Sequence, residues 1–252
     1  MPYTNQENFV MLEKDLPFDR TKHVIYTKAA KECVQRLLRR SYDEPTADEL
    51  WEKVQLQYVA FLENEPALSG VKNTTSIYDP ILLFAWYAVV PDKPALEDIQ
   101  QDVLDCFFGG FDTLGKLFDV NRTFDNRLAN SVFKSANDTR VKEIERFPAS
   151  FRMGSYSYDK KAGIVRYTFT QCPNAEFAKR HHMEEFLSVL CNCDHLALRK
   201  IHATLIREGT CVTAACCDYC IVGDKNPLAR EYELVTNENG LLISMRKHTT
   251  EV

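Results

Sequence analysis

The spacing of hydrophobic residues changes near Pro148, and this change constrains the fold of the 252-residue chain more than any other feature. Before Pro148, apolar residues recur every three or four positions, which is typical of amphipathic helices. After it, two short stretches alternate apolar and polar side chains, as half-buried strands do. The change predicts an α+β fold, in which a mostly helical region, 1–148, packs on a small antiparallel sheet formed mainly by residues 149–252. We interpret residues 1–252 as one domain.

Turn signals divide the helical region into five segments. Thr46-Ala-Asp-Glu49 has the pattern of a capping box, which predicts that the second helix begins there. Tyr78–Val90 is apolar on nearly all sides and predicts a central buried helix. Gly109-Gly110 predicts a break in the fourth segment. The five predicted helices are Thr21–Arg40, Thr46–Leu62, Tyr78–Val90, Leu96–Phe118 and Thr123–Arg146.

The region after Pro148 begins with a predicted β-hairpin. Phe151–Tyr158 and Ile164–Thr170 are its strands, and Asp159–Gly163 supplies the turn. The pattern next predicts a helix over Asn174–Cys191 and a second helix or turn over Asp194–Lys200. The remaining predicted strands are Ile201–Arg207, its partner Ala214–Val222, and a short one at Leu241–Met245.

Composition excludes several classes of protein. The formal net charge of −5 leaves no basic face of the kind that nucleic-acid-binding proteins present. No apolar run approaches the ~18 residues that a membrane span needs, and Met1–Arg20 does not have the pattern of a signal peptide. We therefore predict a cytoplasmic protein whose partner is a small molecule, with neither nucleic acid nor membrane as a partner. Homodimer formation stays open.

Seven of the nine cysteines lie between Cys172 and Asp224, together with four of the six histidines. In a reducing compartment, thiols are free, metal-bound or catalytic more often than they are paired in disulfides. Thiols, imidazoles and carboxylates bind borderline metals or attack electrophilic carbon. The sequence therefore predicts a functional site in this stretch.

Five residues of this stretch are candidates for catalysis. Cys172 ends a predicted strand at the start of a helix, where the helix dipole favours a thiolate. Asp194 follows Cys191 by three residues, so the two share a face if the helix continues. Asp218 is next to Cys217 in a strand, so only one of them should face the site. The alternative is structural: buried cysteines are common in cores, and Asp194 could cap a helix.

The same stretch also offers ligands for a metal. Cys191-x-Cys193 and Cys217-x-x-Cys220 are spacings that a zinc site could use, although two strand residues three apart point to opposite faces. Zinc is accordingly a candidate cofactor. Its candidate ligands are Cys191, Cys193, Asp194, His195 and Cys217.

The order of these motifs resembles the L-2-amino-thiazoline-4-carboxylate hydrolase family. The motifs are Cys172-Pro173, Leu190-Cys191-Asn-Cys-Asp194, Thr204-Leu-Ile-Arg-Glu-Gly209 and Cys217-Asp218-Tyr219, with Gly70-Val-Lys-Asn73 before an apolar helix. The resemblance spans about residues 20–225 and is strongest over 165–222. The chain departs from the family in having Cys220 where an arginine is usual, and in the extra Cys193 and Cys216.

The resemblance implies hydrolysis of a cyclic amidine in a sulfur heterocycle, with a carbamoyl-cysteine product. Two mechanisms are open: attack by the Cys172 thiolate while Asp194 moves the proton, or attack by water on a metal held by the cysteines with Asp194 or His195. Two other functions are also open. One is a non-catalytic small-molecule or zinc sensor of the vinyl-reductase type, and the other is a different biosynthetic reaction.

Overall fold

The computed structural model describes residues 26–66, 68 and 78–247. The start of the first predicted helix and the Gly70-Val-Lys-Asn73 motif lie outside these residues. No helix within the described ranges is long and apolar enough to cross a membrane. The helices are α1 Lys28–Ser41, α2 Glu44–Asn64, α3 Tyr78–Val89, α4 Leu96–Phe108, α5 Phe111–Leu114, α6 Thr123–Arg146, α7 Pro173–His181, α8 Leu187–Lys200 and α9 Pro227–Arg230.

The predicted α+β architecture is confirmed. Helices α1 to α4 pack with α7 and α8 around the larger hydrophobic core. Helix α3 is at its centre, since each residue from Tyr78 to Tyr87 is buried, as its apolar pattern predicts. The break predicted at Gly109-Gly110 separates α4 from α5, and α6 has the predicted bounds.

The start of α2 differs from the prediction. The helix begins at Glu44, and the N-cap is Asp43, whose Oδ1 accepts the backbone N–H of Thr46 at 3.0 Å. Pro45 occupies the first turn, where its missing N–H would have no helical partner in any case. Thr46 is therefore inside the helix. The capping-box prediction is wrong because Asp43, three residues earlier, is the N-cap and accepts the backbone N–H of Thr46.

Four antiparallel strands form the main sheet in the order β1-β2-β4-β3. Their bounds are β1 Arg152–Asp159, β2 Ile164–Gln171, β3 Ala203–Ile206 and β4 Cys217–Gly223. The predicted hairpin is thus confirmed to within one residue. A separate antiparallel pair is formed by β5 Tyr232–Thr236, which the pattern did not predict, and β6 Leu242–Arg246, which matches the predicted short strand.

The break between the two helices after β2 lies earlier than predicted. Helix α7 ends at His181, and the following C-cap residue His182 has φ 54° and ψ 47° in the left-handed region. A short 3₁₀ turn at Glu184–Phe186 follows, and α8 then runs unbroken through Asp194. Asn192 lies within α8, and its side-chain amide bonds the backbone of another segment: its Nδ2 donates to Gly240 O at 3.0 Å, and its Oδ1 accepts the N–H of Leu242 at 2.8 Å.

Asp79 joins the starts of α1 and α3. Its two carboxylate oxygens accept the backbone N–H of Thr27 at 2.7 Å and the Thr27 hydroxyl at 2.9 Å. The side chain is buried, and this desolvation raises the pKa of Asp79 to about 6 in spite of the two hydrogen bonds. The folded protein therefore holds this proton more tightly than the unfolded chain does.

The raised pKa of Asp79 predicts that its contribution to stability is lost as the pH rises from about 4 through 6. Asp79→Asn is expected to change the free energy of unfolding little at pH 4.5. At pH 7.5 we expect the variant to be more stable than the wild type by up to about 3 kcal/mol, because no charge is buried. Urea unfolding of both proteins at the two pH values measures the effect, and equal differences at both would contradict it.

Candidate active site

A cavity of about 140 Å³ lies between one face of the main sheet and helix α8. Side-chain alternation determines which strand residues reach it. Tyr167 of β2 pairs with Tyr219 of β4, and Phe169 pairs with Cys217; all four line the cavity. Helix α8 contributes Cys191, Cys193 and Asp194, and Cys172 lines the cavity at the start of α7. The structure therefore brings together Cys172, Cys191, Cys193, Asp194 and Cys217 from the predicted site residues.

A hydrogen-bonded network of charged and polar groups borders this cavity. Asp194 Oδ2 accepts Arg207 Nη1 at 3.1 Å and the Tyr219 hydroxyl at 2.7 Å. Arg207 Nη2 donates to the carbonyl oxygen of Cys191 at 2.9 Å, so the guanidinium also binds the backbone of α8. Both donors reach the same oxygen of Asp194, and the described residues place no donor on Oδ1. The network therefore leaves Oδ1 for water or a ligand.

Arg207 is buried, with no exposed surface, directly after β3. Its backbone is held by Ser244 of β6, whose Oγ accepts the Arg207 N–H at 3.1 Å and whose own N–H donates to Arg207 O at 2.7 Å. Burial lowers the pKa of Arg207, but the nearby Tyr219 and Asp194 outweigh it and raise that pKa above its ordinary value. The guanidinium is therefore a permanent cation in a water-poor site. Its Nε has no hydrogen-bond partner among the described residues.

The thiols of the cavity hold their protons. Burial raises the pKa of Cys172 far above its ordinary value and that of Cys191 to about 11. The amides of Asn174 and Ala175, at the start of α7, act in the opposite direction on Cys172 but do not outweigh its desolvation. The helix effect predicted for Cys172 is therefore present and smaller than the effect of burial.

Cys211 is a thiol beside the cavity that the sequence did not single out. Its backbone N–H donates to Cys217 Sγ at 3.0 Å. A hydrogen bond from the Cys217 thiol lowers the pKa of Cys211 to about 7, and the Lys179 ammonium acts in the same direction. A thiolate at neutral pH is thus favoured at Cys211 over Cys172. The only sequence signal for it was membership of the cysteine-rich stretch.

Asp218 lies on the other face of the sheet, as the alternation along β4 predicts. It pairs with Thr168 and lines a second cavity, of about 260 Å³. Its carboxylate accepts the backbone N–H groups of Gly209 at 2.6 Å and Glu208 at 3.1 Å. Asp218 therefore holds the turn that follows Arg207 and does not line the cavity that contains Asp194.

The candidate zinc ligands do not converge. His195 is buried on another side of α8, against the backbone of Leu242, and burial lowers its pKa to about 3. Cys193 Sγ donates to Val189 O within its own helix at 3.2 Å. Within the described ranges, no three His, Cys, Asp or Glu side chains are placed to hold one metal ion. The Arg207 cation on Asp194 would moreover repel a metal there, so the residues do not fit zinc.

Sequence reasoning missed two members of the network. Arg207 and Tyr219 were noted only as parts of motifs. An arginine directly after the mostly apolar strand Ala203–Ile206 is a signal for a charged site, because a buried arginine needs an anionic partner. The identity of that partner, Asp194, is not readable from the spacing.

Comparison with known proteins gives one match. The family model for L-2-amino-thiazoline-4-carboxylic acid hydrolase matches residues 96–221, which is half of the chain. No curated protein and no solved structure matches this chain. The matched range contains Cys172, Cys191, Asp194, Arg207 and Tyr219.

Proposed function

Because this chain belongs to the L-2-amino-thiazoline-4-carboxylic acid hydrolase family, we propose that it hydrolyses a small cyclic amidine that contains nitrogen and sulfur. The observation that carries this proposal is the Asp194–Arg207–Tyr219 network, which presents one carboxylate oxygen at a cavity of about 140 Å³. A site of this size with several aromatic side chains in its lining suits one compact heterocycle. A 2-amino-thiazoline-4-carboxylate is the substrate of choice for testing it.

Asp194 is the general base in the proposed reaction. A water molecule at Oδ1 adds to the amidine carbon and gives one proton to the carboxylate, while the electron pair of the C=N bond moves to the ring nitrogen, which then takes up that proton from Asp194. The carbon–sulfur bond then breaks as the carbonyl forms, and the departing sulfur takes up a proton as the thiol. The net change is the addition of one water, which leaves a carbamoyl group on nitrogen and a free thiol.

Arg207 and Tyr219 position this base. Burial and the nearby Asp194 raise the pKa of Tyr219 well above its ordinary value, so its hydroxyl keeps its proton and remains a donor to Oδ2. Arg207 holds the same oxygen and is itself fixed to the backbone of Cys191. Because two donors bind Oδ2, the carboxylate of Asp194 is held in one orientation, in which Oδ1 accepts the proton from water.

The covalent alternative uses the same cavity. The Cys172 thiol would lose its proton to a base and add to the amidine carbon, the ring sulfur would leave as a thiol, and water would later displace Cys172 from the same carbon. Desolvation of Cys172 works against this route because its pKa is raised. The route through water needs no thiolate, and we favour it for that reason.

The two routes differ in what Cys172→Ala does. Through water, we expect the variant to keep kcat within about tenfold of the wild type, since the thiol only lines the cavity. The initial rate of thiol release measures kcat, and mass spectrometry of acid-quenched protein detects any adduct. A loss beyond about a thousandfold, with a substrate adduct on Cys172 of the wild type, would establish the covalent route instead.

The proposed function is tested with the purified 252-residue chain and 2-amino-thiazoline-4-carboxylate in ¹⁸O-labelled water. We expect a product that carries a free thiol and a carbamoyl group in equal amounts, with the ¹⁸O label in the carbonyl oxygen of the carbamoyl group. Binding of the compound without either product would overturn the hydrolase proposal and support a non-catalytic sensor. Absence of both binding and turnover would exclude this class of substrate.

A further inference from the structure

Two thiols meet where the loop after β3 returns to the sheet. Cys211 lies in this loop, and Cys217 is the first residue of β4. The backbone N–H of Cys211 donates to Cys217 Sγ at 3.0 Å, and the Cys211 thiol donates to Phe169 O at 3.4 Å. Phe169 is also the residue of β2 that pairs with Cys217. The two sulfur atoms are therefore held side by side against the same stretch of the sheet.

The separation of the two backbones suits a disulfide. The 3.0 Å contact, together with the N–Cα bond of Cys211 and the short side chain of Cys217, limits the distance between their Cα atoms to about 7 Å. Disulfides span Cα separations of about 4.4 to 6.8 Å. Both cysteines are free thiols. Rotation of the two side chains, with little movement of the backbone, can therefore bring the sulfurs to bonding distance.

Cys211 is the reactive member of this pair. It is half-buried, whereas Cys217 is only 7% exposed. A hydrogen bond from the Cys217 thiol lowers the pKa of Cys211 to about 7, against the opposing effects of burial and of the Glu176 carboxylate. Lys179 acts in the same direction as that hydrogen bond, and its Nζ donates to Cys211 O at 3.0 Å. Peroxides attack thiolates that solvent can reach, which is the form favoured at Cys211.

A second pair of thiols, Cys33 of α1 and Cys106 of α4, provides a contrast. A hydrogen bond from Cys106 lowers the pKa of Cys33. Cys33 is only 1% exposed, however, so a peroxide has little access to its sulfur. We therefore expect this pair to be oxidised more slowly than Cys211. Exposure, and not the hydrogen bond alone, distinguishes Cys211.

We propose that Cys211 and Cys217 form a dithiol site that hydrogen peroxide converts reversibly to a disulfide. The Cys211 thiolate attacks one peroxide oxygen: the S–O bond forms, the O–O bond breaks, and hydroxide leaves and takes up a proton as water. The Cys217 thiol then attacks the sulfenic sulfur: the S–S bond forms, the S–O bond breaks, and the oxygen leaves with the proton of Cys217 as water. Two electrons pass from the sulfurs to one peroxide, and a dithiol reductant restores both thiols.

The disulfide would connect two elements that supply the Asp194 network. The loop that carries Cys211 begins at Arg207, and Cys217 lies in the same strand as Tyr219. Cys217 itself lines the cavity. Oxidation is thus placed at the edge of the candidate active site. The inference goes beyond the proposed hydrolysis and does not depend on it, because the thiols are oxidised whether or not the cavity turns over a substrate.

Oxidation of the purified 252-residue chain tests the site. The reduced protein is treated with equimolar hydrogen peroxide, and the remaining thiols are blocked with N-ethylmaleimide. The oxidised cysteines are then reduced with dithiothreitol and labelled with iodoacetamide. No Lys or Arg lies between Arg207 and Lys225, so trypsin releases both cysteines on one peptide, residues 208–225. We expect the iodoacetamide label on Cys211 and Cys217 of this peptide.

Three variants separate the roles of the cysteines. Cys211→Ser should abolish the disulfide and slow the fastest oxidation of the protein by at least about tenfold. Cys217→Ala should accumulate a sulfenic acid on Cys211, which dimedone traps, although more slowly because the donor that lowers the pKa of Cys211 is lost. Cys216→Ser, next to Cys217, is the matched control and should form the disulfide at the wild-type rate.

The labelling of the wild-type protein decides the result even where a variant does not fold. An iodoacetamide label on another pair of cysteines, or on none, would overturn the proposed site. Oxidation of Cys33 and Cys106 before Cys211, or wild-type oxidation kinetics in Cys211→Ser, would overturn it as well. Hydrolysis of a thiazoline affects none of these readouts, so a failure of this inference is distinguishable from a failure of the proposed function.

Discussion

Asp194→Asn is expected to lower kcat for the thiazoline acid by about 10²- to 10⁴-fold, because an amide cannot take the proton from the attacking water. The amide oxygen still accepts from Tyr219 and Arg207, so the shape of the cavity is kept. KM should change little, since asparagine keeps the size of the side chain and both of these hydrogen bonds. Initial rates of thiol release, measured over a range of substrate concentrations, give both constants.

Stability must be separated from catalysis in this variant. Asparagine leaves the buried Arg207 without its anion, so the variant should also unfold at a lower temperature. Asp194→Glu keeps the charge but moves the oxygen, and we expect it to recover stability while kcat stays low. Asp218→Asn, an acid on the other face of β4, should keep kcat. Normal turnover in folded Asp194→Asn would remove Asp194 from the mechanism.

Arg207→Met is expected to lower the free energy of unfolding by about 3 kcal/mol, because it removes one partner of a buried ion pair. The change leaves Asp194 with Tyr219 alone and removes the partner of the Cys191 carbonyl. The estimate lies at the low end for such pairs because the Asp194 side chain is 32% exposed, so water relieves part of the loss. Urea unfolding measures it.

A double variant tests whether the loss comes from the pair. Asp194→Leu combined with Arg207→Met removes both charges. We expect the loss of unfolding free energy in this double variant to be smaller than the sum of the losses in the two single variants. Arg199→Met, an exposed arginine on α8, should change stability by no more than about 0.5 kcal/mol. Strict additivity of the two single losses would show that Arg207 and Asp194 do not stabilise each other.

The sequence predicted the elements whose signals are local. Helix α6 and the hairpin of β1 and β2 have nearly the predicted bounds, because hydrophobic period and turn residues act over a few positions. The wrong boundaries arose where a side chain was satisfied from elsewhere. The break predicted between Cys191 and Asp194 is absent, and Asn192 inside it bonds the backbone of Gly240 and Leu242, which are far away in the chain.

The candidate site divides in the same way. The sequence by itself determined that Cys217 and Asp218 point apart, because this relation follows from strand geometry. It made a shared face for Cys191 and Asp194 conditional on a continuous helix, and the unbroken α8 of the tertiary structure meets that condition. Only the tertiary structure decided that Arg207 neutralises Asp194 and that Arg140 lines the same cavity. Those contacts join separate elements, and a buried cation selects its partner by packing and desolvation, which no local pattern encodes.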